Sequence, residues 1–329
     1  MTVASEILAE GKTKVLRPGQ DSDEISVIFK DAATAFNGKK HAVIPGKGEL
    51  NARISTLLFA LLAEADIPSC YLRPGAQAAE LMYRRLTMIP LEVVVRNDAY
   101  GSILKRFSLE EGRPFQKPLV EFFHKTNDDP QIAEAMILEL NLVPTQAVLE
   151  KVTVLALQIN EIFLRFFGER GIRCADFKLE FGFDRNGQLM LGDELSPDNF
   201  RLRDILTGAV LDKDVFRLDL ADLADTYRTL LSRMQASPLP VPETLQPKTY
   251  TAEVYVQSRK NILNPESKAI LEGLHSLGYS NVQTVNAGKR FVIQVQSHTL
   301  IDAEKRLRQL AETVLSNPVI EDYELRLKP

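Results

Sequence analysis

Tryptophan is absent from this 329-residue chain, cysteine occurs twice and histidine four times. Cys70 and Cys174 are far apart and lack metal-type spacing, so neither a disulfide framework nor a zinc site is indicated, and a reducing cytoplasm fits. His41, His124, His275 and His298 adjoin no serine or cysteine motif. No Gly-x-Ser-x-Gly turn occurs to support nucleophilic hydrolysis. A polybasic block is also missing, and 40 basic against 44 acidic residues leave a net charge of -4. That argues against nucleic acid or an anionic membrane as the main partner, since both need clustered Lys and Arg. No apolar run is long enough to span a bilayer, and the opening "MTVASEILAEGKTK" lacks the apolar core of a signal peptide.

The composition is that of a folded chain, and its length exceeds the usual reach of one hydrophobic core, so two units are expected. The seam is "ASPLPVPETLQPK" (236–248), four prolines in a stretch without hydrophobic period. Such composition makes a semi-rigid extended spacer. It divides a front unit, 1–235, from a tail, 249–329.

In the tail, "YTAEVYVQ" alternates Tyr250, Ala252, Val254 and Val256 with more polar residues, which predicts a strand. Asn264 and Pro265 then cap a helix whose apolar stripe is Ile270, Leu274 and Leu277, with Gly278 as its stop. Two strands are expected near "VQTVN" and "RFVIQV", joined across Ala287 and Gly288; a helix from Asp302 and a closing strand "VIEDYELRL" follow. The order is βαββαβ, a split ferredoxin-like arrangement that names no function by itself. The front unit mixes elements, an α+β reading. "LEVVVRN" is strand-like, "NARISTLLFALLAEAD" has helical spacing, and Thr145 caps a long helix carrying Val148, Val152, Leu155, Ile159, Ile162 and Phe166.

Chemistry concentrates in "ADFKLEFGFDRNGQLMLGDEL" (175–195), where Asp176, Lys178 and Glu180 alternate with aromatic and aliphatic residues. Asn186-Gly187 predicts a two-residue type I′ hairpin turn, a register that sets Glu180 opposite Asp193. Facing carboxylates repel, and a cation between them relieves this; Mg²⁺ carrying nucleotide phosphates suits one or two carboxylates. Leu191, on the same face in that register, would line an apolar adenine slot. A solvated outer face of alternating charge accounts for the pattern equally well.

Beyond it, "SPDNFRLRD" matches a helix start, with Ser196 as N-cap and Pro197 at the first position. That leaves Arg201 and Arg203, which suit an anionic, phosphorylated substrate. "EGKTKVL" sets Lys12 and Lys14 on one face of a strand, fitting either triphosphate oxygens or a lysine-guarded edge. "VVVRNDAYGSILKR" runs from a strand into a Gly101-Ser102 turn flanked by Arg96 and Lys105, a phosphate-type arrangement that a plain strand-to-helix connection also resembles.

In order and spacing, "EGKTKVL", "IPGKGELN", "MIPLEVVVRNDAYGS", "DFKLEFGF" and "GDELSPDNFRLRD" resemble the motifs of the SAICAR synthetase family, phosphoribosylaminoimidazole-succinocarboxamide synthases, over roughly residues 5–235. The resemblance implies an ATP-grasp-like fold and a purine-biosynthesis ligase joining L-aspartate to carboxyaminoimidazole ribonucleotide, with ATP cleaved to ADP and phosphate. It implies ATP phosphate contacts at Lys12 and Lys14, Met88 at the adenine, and Mg²⁺ on Glu180 and Asp193, with Lys178 and Asp176 on the same catalytic strand. Arg96, Ser102, Asp198, Arg201, Lys213 and Arg217 would bind the ribonucleotide, Asp198 also taking part in catalysis. Phe200 and Arg203 depart from the residues common in that family. A family of this kind needs no protein nucleophile, since phosphorylating a carboxylate supplies the leaving group.

"YTAEVYVQSRKNILNPESKAILEGLHSLGY", "VNAGKRFVIQV" and "LSNPVIEDYEL" resemble the PurS-type subunit of formylglycinamidine ribonucleotide synthase. That implies an assembly domain without chemistry of its own, binding the large subunit and glutaminase subunit of that enzyme, and a homo-oligomer. Two other readings remain open at this point: a tail that senses a small molecule, and a front unit that is a kinase-like phosphotransferase.

Overall fold

The computed structural model describes residues 7–35, 39–126, 128–238, 248–259, 262–297 and 300–328. It divides into two compact units, 1–239 and 240–329. Of the proline-rich segment expected as a linker, 239–247 lie outside the described residues.

The front unit runs β1 (Ala9–Glu10), β2 (Lys14–Pro18), β3 (Glu24–Phe29), β4 (Ala32–Ala35), β5 (Lys40–Val43), α1 (Lys47–Ala63), β6 (Tyr71–Pro74), β7 (Glu80–Arg84), β8 (Thr87–Met88) and β9 (Leu91–Asp98). It continues through α2 (Ser102–Arg106), β10 (Pro114–His124), α3 (Glu134–Glu139), α4 (Gln146–Gly168), β11 (Ile172–Phe183) and β12 (Leu189–Gly192). A single 3₁₀ turn (Pro197–Asn199), β13 (Phe200–Asp204), α5 (Asp214–Arg217) and α6 (Leu223–Gln235) complete it. One sheet has the order β1-β2-β3-β7-β6; a second has β10-β9-β11-β12, with β13 and β8 also paired to β11.

Long β11 organises the second sheet because both of its faces are covered. Its apolar side packs under α4, where Phe163 meets Phe177 edge-on at 5.2 Å and Phe200 at 5.4 Å. Phe200, unusual for the resembled family, is therefore core. Thr145 caps α4 as expected by accepting from the Val148 amide. The buried face is Leu149, Val152, Ala156, Ile159, Phe163 and Phe167, a stripe rotated slightly from the expected one because Val148, Leu155 and Ile162 lie along its margin. At the other end of the unit, α1 is capped by a distant side chain: Asp31 accepts from the amides of Gly46 (3.1 Å) and Gly48 (2.9 Å). This satisfies helix-terminal donors that lack an intrahelical partner.

The tail holds β14 (Lys248–Ser258), α7 (Pro265–Ser276), β15 (Gly288–Ser297), α8 (Leu300–Leu310), a wider π-type turn (Ala311–Leu315) and β16 (Glu321–Lys328), with strand order β15-β14-β16. The strand expected at "VQTVN" does not form; 282–287 are irregular, so the described order is βαβαβ. Asn264 caps α7, accepting from the amides of Glu266 (3.0 Å) and Ser267 (3.1 Å). Of its expected apolar stripe, Leu274 is half-buried while Ile270 and Leu277 are exposed, Leu277 to 75%.

Candidate active site

A cleft of about 510 Å³ opens between the β1–β2 hairpin of the first sheet and the charged face of β9, β11 and β13 in the second. Among its lining residues are Lys12, Lys14, Asp176, Lys178, Glu180 and Asp193, together with Arg96, Asp198, Arg201, Lys213 and Arg217. The face of β11 that reads equally well as solvated is in fact enclosed: Asp176 and Glu180 are each 3% exposed. Met88 and Ser102 are outside the lining. Met88, on β8, pairs with Gly182 of β11 and covers Gly182 and Gly192, where an added Cβ would approach its side chain to 3.1 and 2.8 Å. Ser102, at the start of α2, accepts from Arg96 Nη2 at 3.1 Å.

Lys12 sits at the tip of the β1–β2 hairpin, closed by the Gly11 amide on the Lys14 carbonyl (2.9 Å), so it is not a strand partner of Lys14 as expected. Lys14 pairs with Asp193 and reaches Glu194 Oε2 at 3.2 Å. Lys178 donates to Glu92 at 2.6 Å and to Glu180 at 3.2 Å, and Lys125 takes the other oxygen of Glu180. Three lysines and four carboxylates thus interlock. Burial opposes the charge on Lys14 and Lys178, but the carboxylates outweigh it and raise both ammonium groups above their usual range. Burial likewise pushes Asp193 up, and Lys14 and Lys178 reverse this, holding it at about 2.

This donor set fits a nucleotide-borne Mg²⁺. Among the described residues no group of three acidic, His or Cys side chains could cage a metal, and an ion carried by phosphates needs only one or two carboxylates. Buried Glu194 Oε2 has the Lys14 ammonium at 3.2 Å without a well-aligned hydrogen bond, leaving acceptor capacity beside Asp193.

The hairpin register corrects the sequence reading by one residue. Glu180 pairs with Gly192, not Asp193, and Leu191 pairs with Phe181. The cause is the turn: Gly187 is left-handed (φ 77) but Asn186 is not. Asp184 accepts from the amides of Asn186 (2.9 Å) and Gln188 (2.8 Å), stabilising a longer loop. One residue of slip exchanges faces, so Leu191 is wholly buried in the core instead of lining an adenine slot. Asp193 returns to the cleft because the chain turns sharply there, with φ 57.

On the opposite side, Arg96 is 3% exposed and donates to Glu121 (2.5 Å), Asp176 (2.6 Å) and the Tyr100 carbonyl (3.1 Å). Arg201 contacts both oxygens of Asp176 and lies 3.3 Å from Asp214. Gly101 makes this possible: its φ is +67 and an added Cβ would lie 2.4 Å from Arg201 Nη2. Arg203 points inward to Asp212 and Asp214 and stacks over Tyr100 at 5.0 Å, so it supports the site without facing it. Ser196 accepts from the Asp198 amide as its cap, but only one 3₁₀ turn follows before β13 begins.

Asp198 is the hub that sequence reasoning only half foresaw. One oxygen accepts from Lys47 at 2.6 Å and Asn51 at 3.5 Å; the other accepts from the Tyr227 hydroxyl at 2.5 Å. Lys213 Nζ stands 3.7 Å away. Burial raises the Asp198 carboxyl, but Lys47, Lys213 and Tyr227 prevail and hold it well below the usual range. Lys47, Asn51 and Ser55, which accepts from the Leu195 amide at 3.0 Å, form a four-residue-spaced polar stripe on the buried side of α1. That spacing, polar residues in phase with Leu58 and Leu62, was the available signal.

The family model described as SAICAR synthetase matches residues 7–234. The chain belongs to the SAICAR synthetase family. It is 44% identical over 229 residues to the phosphoribosylaminoimidazole-succinocarboxamide synthase of Exiguobacterium sibiricum, covering 69% of this chain and 97% of that protein. The Anoxybacillus flavithermus protein of the same name is 46% identical over 230 residues, 69% of this chain and 95% of its own. The crystal structure of the synthase from Ehrlichia chaffeensis matches at 40% identity with TM-score 0.68, covering 71% of this chain and all of that one. A SAICAR synthetase in complex with ADP matches at 40% identity and TM-score 0.67, with the same coverage. The family model for PurS, described as phosphoribosylformylglycinamidine (FGAM) synthase, matches 251–329. This SAICAR synthetase is thus fused to a PurS domain.

Proposed function

We propose that this SAICAR synthetase joins L-aspartate to carboxyaminoimidazole ribonucleotide with cleavage of ATP to ADP and phosphate, in the cytoplasm, where its two buried cysteines remain thiols. The supporting observation is the cleft itself: charges from motifs spread over some two hundred residues converge there without a serine, cysteine or histidine nucleophile among them. We read the front unit as ATP-grasp-like, with the lysine hairpin over the nucleotide. Lys12 and Lys14 bind phosphate oxygens, and Met88 borders the adenine. Glu180 and Asp193 would hold Mg²⁺, which supplies neutralisation of the transferring phosphoryl group. Lys178, anchored by Glu92, adds positive charge beside it. Arg201 and Arg217 neutralise the ribonucleotide, with Arg96, Ser102 and Asp176 behind them fixing their orientation; Lys213 borders it, and Asp198 holds Lys47 and Lys213 in place. Positioning and charge neutralisation of this kind account for much of the acceleration in phosphoryl transfer.

ADP release by the full chain with Mg²⁺-ATP, carboxyaminoimidazole ribonucleotide and L-aspartate, each omitted in turn, tests this. Release that requires all three is expected; release without aspartate would make the front unit a kinase-like phosphotransferase. The tail we read as an assembly domain for the large and glutaminase subunits of formylglycinamidine ribonucleotide synthase, and as a self-associating unit. Sedimentation of the full chain alone and with those subunits tests that reading. A strictly monomeric, non-binding chain would overturn it.

A further inference from the structure

We propose that Lys213 is the base that deprotonates the incoming amine of L-aspartate. The inference rests on the ligase reading above and adds a role to one residue of its cleft.

The geometry sets Lys213 apart from Lys14 and Lys178. Each of those holds two carboxylates, whereas Lys213 is buried to 6% exposure and among the described residues has one ion-pair partner, Asp198 at 3.7 Å. Asp198 is already engaged: Lys47 and Asn51 hold one oxygen and Tyr227 the other. Facing Lys213 are Asp198 and Glu194 from the segment after β12, Lys47 from α1 and Arg217 from α5. Burial, and then the Lys47 and Arg217 charges, lower its affinity for a proton against the pull of Asp198. The side chain is also held in place. Asp212 accepts from the amides of Leu202 and Asp214, both at 2.7 Å, fixing the turn that carries Lys213 into the cleft.

The chemistry has need of such a group. Aspartate arrives as an ammonium ion without a lone pair. Neutral Lys213 Nζ takes one proton and becomes an ammonium; the freed pair forms the carbon–nitrogen bond to the acyl phosphate. The carbon–oxygen bond to phosphate then breaks, phosphate leaves with that electron pair, and the second nitrogen proton departs with it.

The test is the pH profile of kcat/KM for aspartate in the wild-type chain, Lys213→Arg and Lys213→Ala, with calorimetric affinity for carboxyaminoimidazole ribonucleotide measured on each. Lys213→Arg keeps the charge but cannot give up its proton. It should turn over on the order of 10²-fold more slowly at neutral pH, lose the wild type's acid-side limb and bind the ribonucleotide as before. Tyr227→Phe frees an Asp198 oxygen for Lys213 and should move the limb to higher pH. Wild-type rates in Lys213→Arg, or ribonucleotide affinity falling in step with turnover in both Lys213 variants, would show a charge or binding role and overturn the proposal. Wild-type ADP release without aspartate would overturn the ligase reading instead.

Discussion

The two units bury very different things. The front unit encloses Lys47, Arg96, Asp176, Glu180, Asp212 and Lys213, all at most 6% exposed, around a large aromatic and aliphatic core. The tail's main buried cluster is Val254, Val256 and Ala311 with a few partly covered neighbours, while Leu263, Leu277, Val314 and Val319 are each at least 69% exposed. Buried charge survives only where partners and a rigid surround compensate its desolvation. The tail's small three-stranded sheet buries Glu253, at 7% exposure and paired with Arg290, but holds no cluster of such groups among its described residues. The contrast explains why the chemistry resides in one unit, and why the other presents apolar surface suited to assembly.

The largest effect expected on this contrast comes from Asp193→Ala. It removes a carboxylate shared by Lys14 and the proposed metal, so ADP formation should fall on the order of 10³-fold or more. The unfolding midpoint should hold, because Lys14 keeps Glu194. Turnover near the wild-type rate would remove Asp193 from the site. Next is Arg96→Met, which removes the cation shared by Glu121 and Asp176; Arg106 still holds Glu121 and Arg201 still holds Asp176, so the front unit should be destabilised by about 1–3 kcal/mol in denaturant titration. The tail's Arg259→Ala, breaking a pair with Asp322 in which both side chains are about half exposed, should leave the denaturation curve unmoved. Equal responses would erase the contrast.

Local signals were legible where one residue determines one conformation. Thr145, Asn264 and Ser196 cap as their types require, and alternation along β11 separated its charged and apolar sides correctly. What escaped was non-local. Asp184 lengthened the hairpin by side-chain bonds that no turn dipeptide encodes, and the resulting slip moved Leu191 into the core. The Asp198 hub joins α1, the turn before β13, and α6; Tyr227 reads as an ordinary helix aromatic until folding brings its hydroxyl to a carboxylate 29 positions earlier. Arg203 looked like a ligand arginine because Asp212 and Asp214, which claim it, lie beyond the motif. The missing tail strand marks the same limit: alternation in a five-residue stretch cannot ensure a pairing partner.

A smaller effect tests how closely the front unit's charges are placed. Gly101→Ala forces a left-handed backbone on alanine and sets its methyl group against the Arg201 guanidinium. KM for the ribonucleotide should rise roughly 10-fold, an increment of about 1.4 kcal/mol, with kcat less affected. An unchanged KM would place Arg201 outside the ribonucleotide site.

The smallest expected effect is the most direct test of the division of labour. Residues 1–238 alone should retain ligase turnover within a few-fold of the full chain. The aligned 229 residues span 97% of the similar Exiguobacterium protein, leaving no room there for a counterpart to the tail. The cleft's lining residues all lie before Leu218, and α6, which supplies Tyr227, ends at Gln235. Its last turn is fastened within the front unit, by Arg170 on the Met234 carbonyl at 3.0 Å and Arg233 on Asp204 at 2.5 Å. Deleting the tail therefore leaves these anchors intact, and Asp198 should keep its hydroxyl partner. A large loss of turnover in a truncated protein of unchanged denaturation midpoint would show that the tail acts on the cleft, and that the two units are coupled in catalysis as well as in sequence.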